Sequence, residues 1–463
     1  MYSMSAVLPQ ALKRFDISGP RYTSFPTADR FVEAFTAIDH GRALDDRRAR
    51  AETSAAPLSL YVHIPFCESL CYYCACNKII TKQHSRSTAY LGYLEREVSL
   101  YTARLGQGQP VSQLHLGGGT PTFFSDAELA RLMEMLRRNF DIAAGAEMAI
   151  EVDPRTVDKA RLAALAALGF NRLSFGVQDF DPDVQKAVHR VQPAEQVFAL
   201  VAEARALGFE SINVDLIYGL PRQTQTSFAR TIRQIQDLRP DRIALYAYAH
   251  LPERFKPQRH IPTALLPAAE DKAAMLAEAM ERLQGAGYQY IGMDHFALAG
   301  DALAVAGREG RLHRNFQGYS TQPDRDLLGL GVSAIGAVGA SYSQNAKTME
   351  EYCDLLDQGR FPVTRGLALS RDDLARRAVI MSIMCQGQVW FESVELAWML
   401  DFKSYFAAEL ERLRELEEAG LVVLSDTGIR VTPEGRFVLR AVAMVFDRYL
   451  QSDLNRSRFS RII

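Results

Sequence analysis

Short apolar runs alternate with longer amphipathic runs through the first half of the chain. Six of the short runs are rich in β-branched or aromatic residues and are bounded by Gly, Pro or polar residues, which predicts strands. They occupy residues 58–65, 112–119, 147–154, 172–179, 211–220 and 242–249. Five runs between them repeat apolar residues every three or four positions, which predicts helices. These helices occupy residues 88–105, 126–140, 161–170, 194–209 and 227–238.

The alternation of strands and helices indicates an α/β fold with a parallel sheet and helical crossovers. The pattern fits a doubly wound sheet or a closed or partial barrel of about six repeats, and the residues alone hardly separate these architectures. In both, ligands bind at the loops that follow the strands. Those loops contain a group of cysteines and the sequences GGGTP, EVDPR and GVQDF.

The pattern changes from about Ala368, where consecutive helices precede a hairpin in LVVLSDTGIRVT. This order resembles a winged helix, but the segment has no dense basic stripe, which favours a lid or packing role over DNA reading. The segment before Leu58 forms an extension that contains GPRYTSFPTA. We predict an N-terminal extension at residues 1–56, a catalytic domain at 57–345 and a mainly helical C-terminal domain at 346–463.

Composition and charge exclude several classes of protein. The 463 residues are 48% hydrophobic and 23% charged, with a net charge of -2, as in an ordinary soluble globular protein without bulk attraction to nucleic acid. The charge-free run from Leu327 to Asn345 is rich in glycine and lacks the apolar density of a membrane span, so we predict a buried segment. The first residues lack the basic segment and apolar core of a secretory signal. We expect a cytoplasmic protein that binds neither nucleic acid nor a membrane.

Four of the six cysteines lie within the stretch YVHIPFCESLCYYCACNK, namely Cys67, Cys71, Cys74 and Cys76. Structural disulfides are unfavourable in a cytoplasmic chain. A zinc site usually has two ligand pairs separated by a longer loop. Short spacings within one loop suit an iron-sulfur cluster better. Reactive free thiols would not explain the spacing.

The pattern CxxxCxxC, formed by Cys67, Cys71 and Cys74 directly after a predicted strand, resembles the radical S-adenosylmethionine superfamily. The resemblance implies that the three thiolates bind three irons of a 4Fe-4S cluster. The fourth iron is left open for S-adenosylmethionine, and Cys76 is not a ligand.

The surrounding motifs resemble a narrower family, the oxygen-independent coproporphyrinogen III oxidases. They are YVHIPFC, LHLGGGTPT, IEVDPR, NRLSFGVQDF, VDLIYGLP, YIGMDHFA and HRNFQGY. The likeness extends from GPRYTSFPTA to the terminal FSRII. One position departs from the family pattern, because Ala75 stands where the family commonly has Gly between the third and fourth cysteines.

The resemblance implies a partial (β/α)6 TIM-type barrel and an oxidoreductase of haem biosynthesis. Such an enzyme uses a deoxyadenosyl radical to convert two propionates of coproporphyrinogen III to vinyl groups, which gives protoporphyrinogen IX. The family also implies two S-adenosylmethionine molecules, a reducing electron donor and an electron acceptor. We expect a monomer.

The resemblance also implies roles for individual residues. The first S-adenosylmethionine is expected to contact Tyr61, Gly118 and Glu151, and the reacting centre to include Tyr61, His63, Glu151, Phe316 and Gln317. A second S-adenosylmethionine is expected to contact Tyr73, Gly119, Thr120, Gln178, Arg190, Asp215, Ala249 and Ile335.

Several of these residues also have ordinary structural explanations. His63 could be a hydrogen-bonded strand histidine, and Glu151 and Asp215 could be carboxylates near helix N-termini. Phe316 could belong to the core. Arg21, in the extension, could meet a substrate propionate or lie at the surface. Two cysteines outside the group, Cys353 and Cys385, are expected to pack as small hydrophobes.

A haem chaperone is the alternative function, because close relatives of the family keep the cluster but bind and transfer haem. The step CxC at Cys74 and Cys76 and the extension with PRYTSFPT favour the oxidase. A haem-degrading radical methyltransferase is a third possibility.

Overall fold

The computed structural model describes Phe15 and residues 17–51, 56–323 and 325–451. The FSRII terminus and the first fourteen residues of the extension lie outside the described residues. Six parallel strands form the centre of the fold and confirm the predicted α/β class. In chain order they are β1 (Leu58–Ile64), β2 (Gln109–Gly118), β3 (Phe140–Val152), β4 (Arg172–Gln178), β5 (Ser211–Tyr218) and β6 (Arg242–Ala247).

These six strands belong to a sheet of twelve, and neighbours in the chain are neighbours in the sheet from β1 to β6. Beyond β6 the sheet continues with His295–Leu298 and then Tyr288–Gly292. Beyond β1 it continues through Leu327–Leu330, which is parallel to β1, then Ile335–Val338, Ser341–Asn345 and Val363–Ala368. The order is linear, as in an open, partial barrel. The buried glycine-rich run therefore contributes three of these strands.

Helices cross over between the parallel strands. They are Ser85–Leu105, Asp126–Asn139, Lys159–Ala167, Pro182–Ala187, Ala194–Ala206 and Gln225–Leu238. The helix Asp126–Asn139 shows why the sequence folds this way, since Ser125 and Glu128 form a capping box at its start and its apolar positions are buried. The crossovers cover one face of the sheet, which leaves the other face and the strand ends for polar side chains.

The remaining helices are Ala37–Ala51, Ala269–Gly285, Ala302–Arg308, Met349–Asp357, Arg371–Gln386, Phe391–Trp398, Phe402–Tyr405, Ala407–Glu418, Leu439–Met444 and Arg448–Gln451. The predicted hairpin is confirmed as Val422–Leu424 and Gly428–Val431. Gln388–Trp390 pairs with the second hairpin strand and completes a three-stranded sheet beside the helices. This arrangement resembles a winged helix.

Two large hydrophobic cores contain most of the buried apolar side chains of the described residues. The larger one fills the space between the twelve-stranded sheet and its helices. The second unites the C-terminal helices with Phe15, Tyr22 and Phe25 from the N-terminal segment. The extension is thus packed against the C-terminal helices, while the domain boundaries stay a prediction. Within the described ranges, the helices are too short or too polar to span a bilayer.

Candidate active site

The cysteine loop follows β1 and folds back on itself. Cys67 lies in a short strand, Phe66–Cys67, which pairs with Ile79–Ile80. The amide of Thr81 donates to the carbonyl of Cys67 at 2.9 Å, and the amide of Cys74 donates to the carbonyl of Cys71 at 3.2 Å. The loop is therefore closed at its base and tight in its middle, which keeps the thiols at the carboxyl edge of the sheet.

The cysteine loop forms one wall of a cavity of about 380 Å³. The opposite walls come from the carboxyl ends of β2, β3, β4 and β5. The cavity brings together most of the residues that the sequence analysis selected, namely Cys67, Cys71, Tyr73, Cys74, Gly118, Gly119, Thr120, Glu151, Gln178, Arg190 and Asp215. Cys76 also lines it.

Hydrogen-bond donors approach two of the thiols. The hydroxyl of Thr120 lies 3.3 Å from Cys67 Sγ. The guanidinium groups of Arg155 and Arg190 lie 3.5 and 3.4 Å from Cys71 Sγ. Cationic donors of this kind stabilise a thiolate, which is the form that binds iron.

The thiols of Cys67 and Cys74 differ in how easily they ionise. Burial raises the pKa of Cys67 to about 11. A hydrogen bond from Cys76, followed by the nearby charge of Lys78, lowers the pKa of Cys74 to about 6 despite burial. Within the described ranges, no three His, Cys, Asp or Glu side chains could hold a single metal ion. An iron-sulfur cluster does not need three ligands around one metal ion, because each thiolate binds a different iron.

A buried ion-pair group lies behind Cys71. Asp153 accepts from Arg190 Nη1 at 3.1 Å and from Arg155 Nη2 at 2.7 Å. Burial alone would raise the pKa of Asp153, but the charge of Arg190 and the bonds from Arg155 lower it overall. Arg190 also donates to the carbonyl of Gly176 at 2.6 Å. These contacts fix the guanidinium at the cavity wall.

Glu151, near the end of β3, is held from two sides. Its carboxylate accepts from His115 Nε2 at 3.2 Å and from the amide of Gly118 at 3.2 Å. Burial would raise the pKa of Glu151, but the hydrogen bond and charge of His115 lower it overall. His115 in turn stacks on the ring of Tyr61, with the ring centres 5.9 Å apart. Glu151 is therefore ionised and oriented.

Tyr61 and His63 lie next to the cavity wall, on the inward face of β1. Tyr61 Oη is 3.1 Å from His63 Nδ1, and His63 Nε2 is 3.0 Å from the carbonyl of Asn77. A carbonyl only accepts, so Nε2 carries the proton and Nδ1 accepts from the tyrosine hydroxyl. Burial lowers the pKa of His63, which keeps this ring neutral at pH 7.

The glycines of GGGTP are required by close approach. Gly118 has a φ of +113°, and a Cβ there would lie 2.6 Å from the ring of His63. A Cβ on Gly119 would lie 2.7 Å from the backbone of Pro65. Any side chain here would push the turn off the cysteine loop, so the glycines bring the two walls together.

Asp215 lies deeper, at the inward face of β5. It accepts from Asn213 Nδ2 at 2.8 Å and from the hydroxyl of Ser174 at 3.4 Å. Burial, and then the charge of Glu151, raise its pKa to about 7. The Asp215 carboxyl is therefore partly protonated and partly ionised near neutral pH.

Four selected residues lie away from the cavity walls. Phe316 contacts Tyr342 edge to face, with the ring centres 5.6 Å apart, and Ile335 packs in the same small apolar group. Gln317 follows in the turn of a hairpin (His313–Asn315 and Gly318–Ser320), and no described group bonds its buried Nε2 atom. Ala249 lies two residues beyond the end of β6. Their functional roles stay predictions.

Comparison with known proteins tests the family. Residues 61–235 match the model of the Radical SAM superfamily, and residues 369–438 match the HemN C-terminal domain. The oxygen-independent coproporphyrinogen III oxidase of Pseudomonas aeruginosa is 50% identical over 454 residues, which cover 98% of each chain. The chain belongs to the oxygen-independent coproporphyrinogen III oxidase family. This result confirms the predicted family and, with it, the predicted class of enzyme.

Further matches agree with this family. The oxygen-independent coproporphyrinogen III oxidase of Synechocystis is 42% identical to this chain, and the match covers 98% of this chain and 97% of that one. The structure of coproporphyrinogen III oxidase (HemN) from Escherichia coli, a radical SAM enzyme, matches with a TM-score of 0.88 and 48% identity. The match covers 94% of this chain and 100% of that chain.

The site fits the 4Fe-4S cluster and S-adenosylmethionine that the family implies. Three thiols face one cavity, cationic donors reach Cys71, and Gly118 and Gly119 leave space where side chains would intrude. A cavity of this size falls within the range typical of cofactor sites.

Sequence reasoning missed several residues that hold this site of the oxidase family. His115, Asp153, Arg155, Ser174 and Gly176 contact the selected side chains or line the cavity. All five lie in the quoted motifs. His115, Ser174 and Gly176 occupy inward strand positions, and the alternation along each strand was the signal that could have found them. Asp153 and Arg155 lie in a turn beyond the end of β3, where no alternation marks them.

Proposed function

We propose that this protein removes two propionate carboxyl groups from coproporphyrinogen III without oxygen and so forms protoporphyrinogen IX. Each round converts a –CH2–CH2–COO⁻ side chain to –CH=CH2 and carbon dioxide, with loss of one hydrogen atom and one electron. The observation that carries the proposal is the convergence of the CxxxCxxC thiols and the oriented Glu151 on one cavity. The relatives named as coproporphyrinogen III oxidases support the choice of substrate.

In this proposal Cys67, Cys71 and Cys74 hold the cluster, and Cys76 does not. When bound, the cluster and S-adenosylmethionine supply the radical chemistry that removes hydrogen from the propionate β-carbon. Tyr61, Gly118 and Glu151 are proposed to contact the first S-adenosylmethionine. Tyr61 packs on His115.

A second S-adenosylmethionine is part of the proposal. Its contacts are Tyr73, Gly119, Thr120, Gln178, Arg190, Asp215, Ala249 and Ile335. Arg190, fixed by Asp153, presents a guanidinium that suits a ligand carboxylate, and Asp215 can accept from ribose hydroxyls when ionised.

The chain's own residues also shape the reacting centre. The neutral His63 cannot donate through Nδ1, so its part is to accept from Tyr61 and fix that ring against the cavity wall. Phe316 and Gln317 are proposed to contact the tetrapyrrole, Phe316 through an apolar ring and Gln317 through its Nε2 donor.

Other features of the proposal concern the protein's setting. A reducing donor delivers the electron that starts each round, and an acceptor takes the one that remains. Free thiols around an oxygen-sensitive cluster suit the reducing cytoplasm. We propose a monomer with the three domains predicted from the sequence.

An anaerobic assay tests the function. The reconstituted protein is given coproporphyrinogen III, S-adenosylmethionine and a reductant, with Cys71→Ser protein as the control for radical-independent loss. Carbon dioxide, methionine, deoxyadenosine and protoporphyrinogen are expected. If the intact protein instead transfers haem to an acceptor protein and shows no decarboxylation above the control, the haem chaperone is the correct function.

A further inference from the structure

A second group of charged side chains lies beside Tyr246, on β6. It consists of Arg21 in the N-terminal segment, Arg314 in the hairpin beginning at His313, and Arg440 in the helix Leu439–Met444. We call these three residues the arginine cluster. Arg314 and Arg440 are 7% and 4% exposed, so their charges are largely removed from water.

The cluster is built by contacts between distant parts of the chain. Arg21 forms an ion pair with Asp294, and Arg314 donates to the carbonyl of Arg21 through Nε and Nη2 at 3.3 and 3.2 Å. Arg440 Nη1 donates to the carbonyl of Gly19 at 3.1 Å. The three guanidinium groups are thus held by backbone carbonyls and one carboxylate.

The guanidinium groups of the cluster lie close enough to repel one another. The strongest charge interactions of Arg440 in the described residues are with Arg21, Asp294, Tyr218 and Arg314, and Asp294 is the carboxylate among them. Burial, and then the charge of Arg21, lower the pKa of Arg440 to about 10. Bringing guanidinium groups together in a buried place costs free energy, because each loses hydration and repels the others.

One buried hydrogen-bond donor of the cluster lacks an acceptor among the described residues. No described group accepts from Arg314 Nη1. Nearby, no described group bonds the buried Nδ1 atom of His295, whose ring lies edge to face with Tyr319 at 5.3 Å. A native fold seldom leaves such groups unpaired unless a ligand completes them.

The cluster is next to the cofactor cavity. Tyr246, on the inward face of β6, lies under the guanidinium of Arg21, with 5.1 Å between Cζ and the ring centre. After burial, the charge of Asp215 raises the pKa of Tyr246 most strongly. Tyr246 therefore contacts the arginine cluster and lies on the strand that pairs with the strand of Asp215, a residue of the cavity wall.

We propose that the arginine cluster binds a propionate carboxylate of the tetrapyrrole, with Arg314 Nη1 as a direct donor. This inference rests on the proposed function, which brings a tetraanionic substrate into the barrel. Only two of the four propionates are converted, and the side chains point outward around the macrocycle. A fixed cationic site beside Tyr246 would hold one propionate while another reaches the cofactor cavity. A guanidinium suits this role because its parallel N–H groups match both carboxylate oxygens.

Binding measurements without turnover test the proposal. Coproporphyrin III, the fluorescent oxidised tetraacid, and its neutral tetraamide are titrated into wild-type, Arg314→Gln and Arg314→Lys proteins. We expect Arg314→Gln to weaken tetraacid binding about tenfold and tetraamide binding little, as for one lost charged hydrogen bond. The tetraacid affinity of Arg314→Lys protein should lie between those of the wild-type and Arg314→Gln proteins, because lysine keeps the charge but lacks the planar pair of donors.

Controls separate the possible results. Arg376→Gln removes another buried arginine, which is paired with Asp372 and Glu409, and should leave tetraacid binding unchanged. If Arg314→Gln does not fold, Arg21→Gln replaces it, since that side chain is 32% exposed. The proposal is overturned if the substitution weakens the binding of tetraacid and tetraamide equally or leaves tetraacid binding unchanged. It is also overturned if the variant loses affinity for S-adenosylmethionine alone. Failure of the wild-type protein to bind or decarboxylate coproporphyrinogen III would overturn the proposed function together with it.

Discussion

At the scale of single residues, the four cysteines differ in ways that their spacing alone did not reveal. Cys71 is buried between two guanidinium groups, whereas Cys76 is exposed and bonds the thiol of Cys74. The motif predicted that Cys67, Cys71 and Cys74 lie together, and they line one cavity, while their role as ligands stays a prediction. It could not predict the donors to Cys71, because Arg155 and Arg190 come from separate loops whose meeting depends on strand register.

Substitution of single cysteines tests the three-ligand assignment. Cys67→Ser, Cys71→Ser and Cys74→Ser should each abolish the iron-sulfur absorbance and S-adenosylmethionine cleavage, because one iron loses its thiolate. Cys76→Ser should keep the cluster. Iron and sulfide are measured after anaerobic reconstitution. The assignment is wrong if Cys76→Ser protein contains no more iron than Cys71→Ser protein.

The raised pKa of Asp215 predicts a cost to stability. Its pKa is about 7 in the folded protein against 3.8 in its ordinary state, so the folded protein binds a proton that the unfolded chain lacks between these values. This cost is absent below pH 3.8, where both states are protonated, grows as the pH rises, and is complete above about pH 7. Asp215→Asn should therefore raise the unfolding free energy of the cofactor-free protein at pH 8, by on the order of 2 kcal/mol, and by less at pH 5.

Denaturant unfolding at several pH values measures this effect, with the exposed Asp46→Asn as control. The same Asp215→Asn protein should bind S-adenosylmethionine more weakly at the proposed second site, since its amide cannot accept through two anionic oxygens. Parallel stability curves for Asp215→Asn and wild-type protein against pH would contradict the prediction. A carboxylate that lowers stability yet improves binding is expected at a functional site.

At the scale of elements, the strands and crossover helices were largely predictable because each has its own periodicity. The main exception is β3, which begins at Phe140 rather than 147, since FDIAAGA lacks a clear alternating pattern. The short helix Pro182–Ala187 was also missed. It is too brief for a periodic signal, and it forms because Asp181 caps it and Pro182 suits its first turn.

The loop after β4 depends on one buried carboxylate. Asp179 accepts from Thr231 Oγ1 at 2.6 Å, from Gln223 Nε2 at 2.5 Å and from the amide of Asp181 at 2.7 Å. Gln178, which precedes it, has a φ of +70° and lines the cofactor cavity. The network therefore holds Gln178 in an otherwise unfavourable backbone conformation.

Asp179→Asn tests this positioning role. The amide would face the Nε2 donor of Gln223, so we expect the unfolding free energy to fall by about 2 to 4 kcal/mol and S-adenosylmethionine affinity to fall as well. Asp183→Asn, at an exposed position in the short helix that follows this loop, is the matched control. Calorimetry and equilibrium dialysis measure the two effects. Lower stability with unchanged S-adenosylmethionine binding would show that the network supports the fold without positioning the site.

At the scale of the whole molecule, the N-terminal segment connects parts that are far apart in the chain. Tyr22 Oη donates to Asp447 Oδ2 at 2.9 Å, and Tyr342, in the large sheet, donates to the carbonyl of Phe25 at 3.2 Å. Sequence analysis treated this segment as a separate extension. Contacts across hundreds of residues leave no local periodicity, so its packing against the C-terminal core could not be predicted.

Phe25 is fully buried between these parts, which makes its side chain a test of the connection. Phe25→Ala should lower the unfolding free energy by about 3 to 5 kcal/mol, the usual cost of a cavity left by a buried aromatic ring. The ring of Phe25 contacts Tyr22 and Tyr449. Its loss should therefore weaken the packing of the N-terminal segment and speed tryptic cleavage after Arg30. Denaturant unfolding and mass spectrometry of timed digests measure both effects. Phe255→Ala, at a partly exposed aromatic residue outside this core, is the control. If Phe25→Ala loses stability while cleavage after Arg30 stays as slow as in the control, the segment is held by its polar contacts and not by this ring.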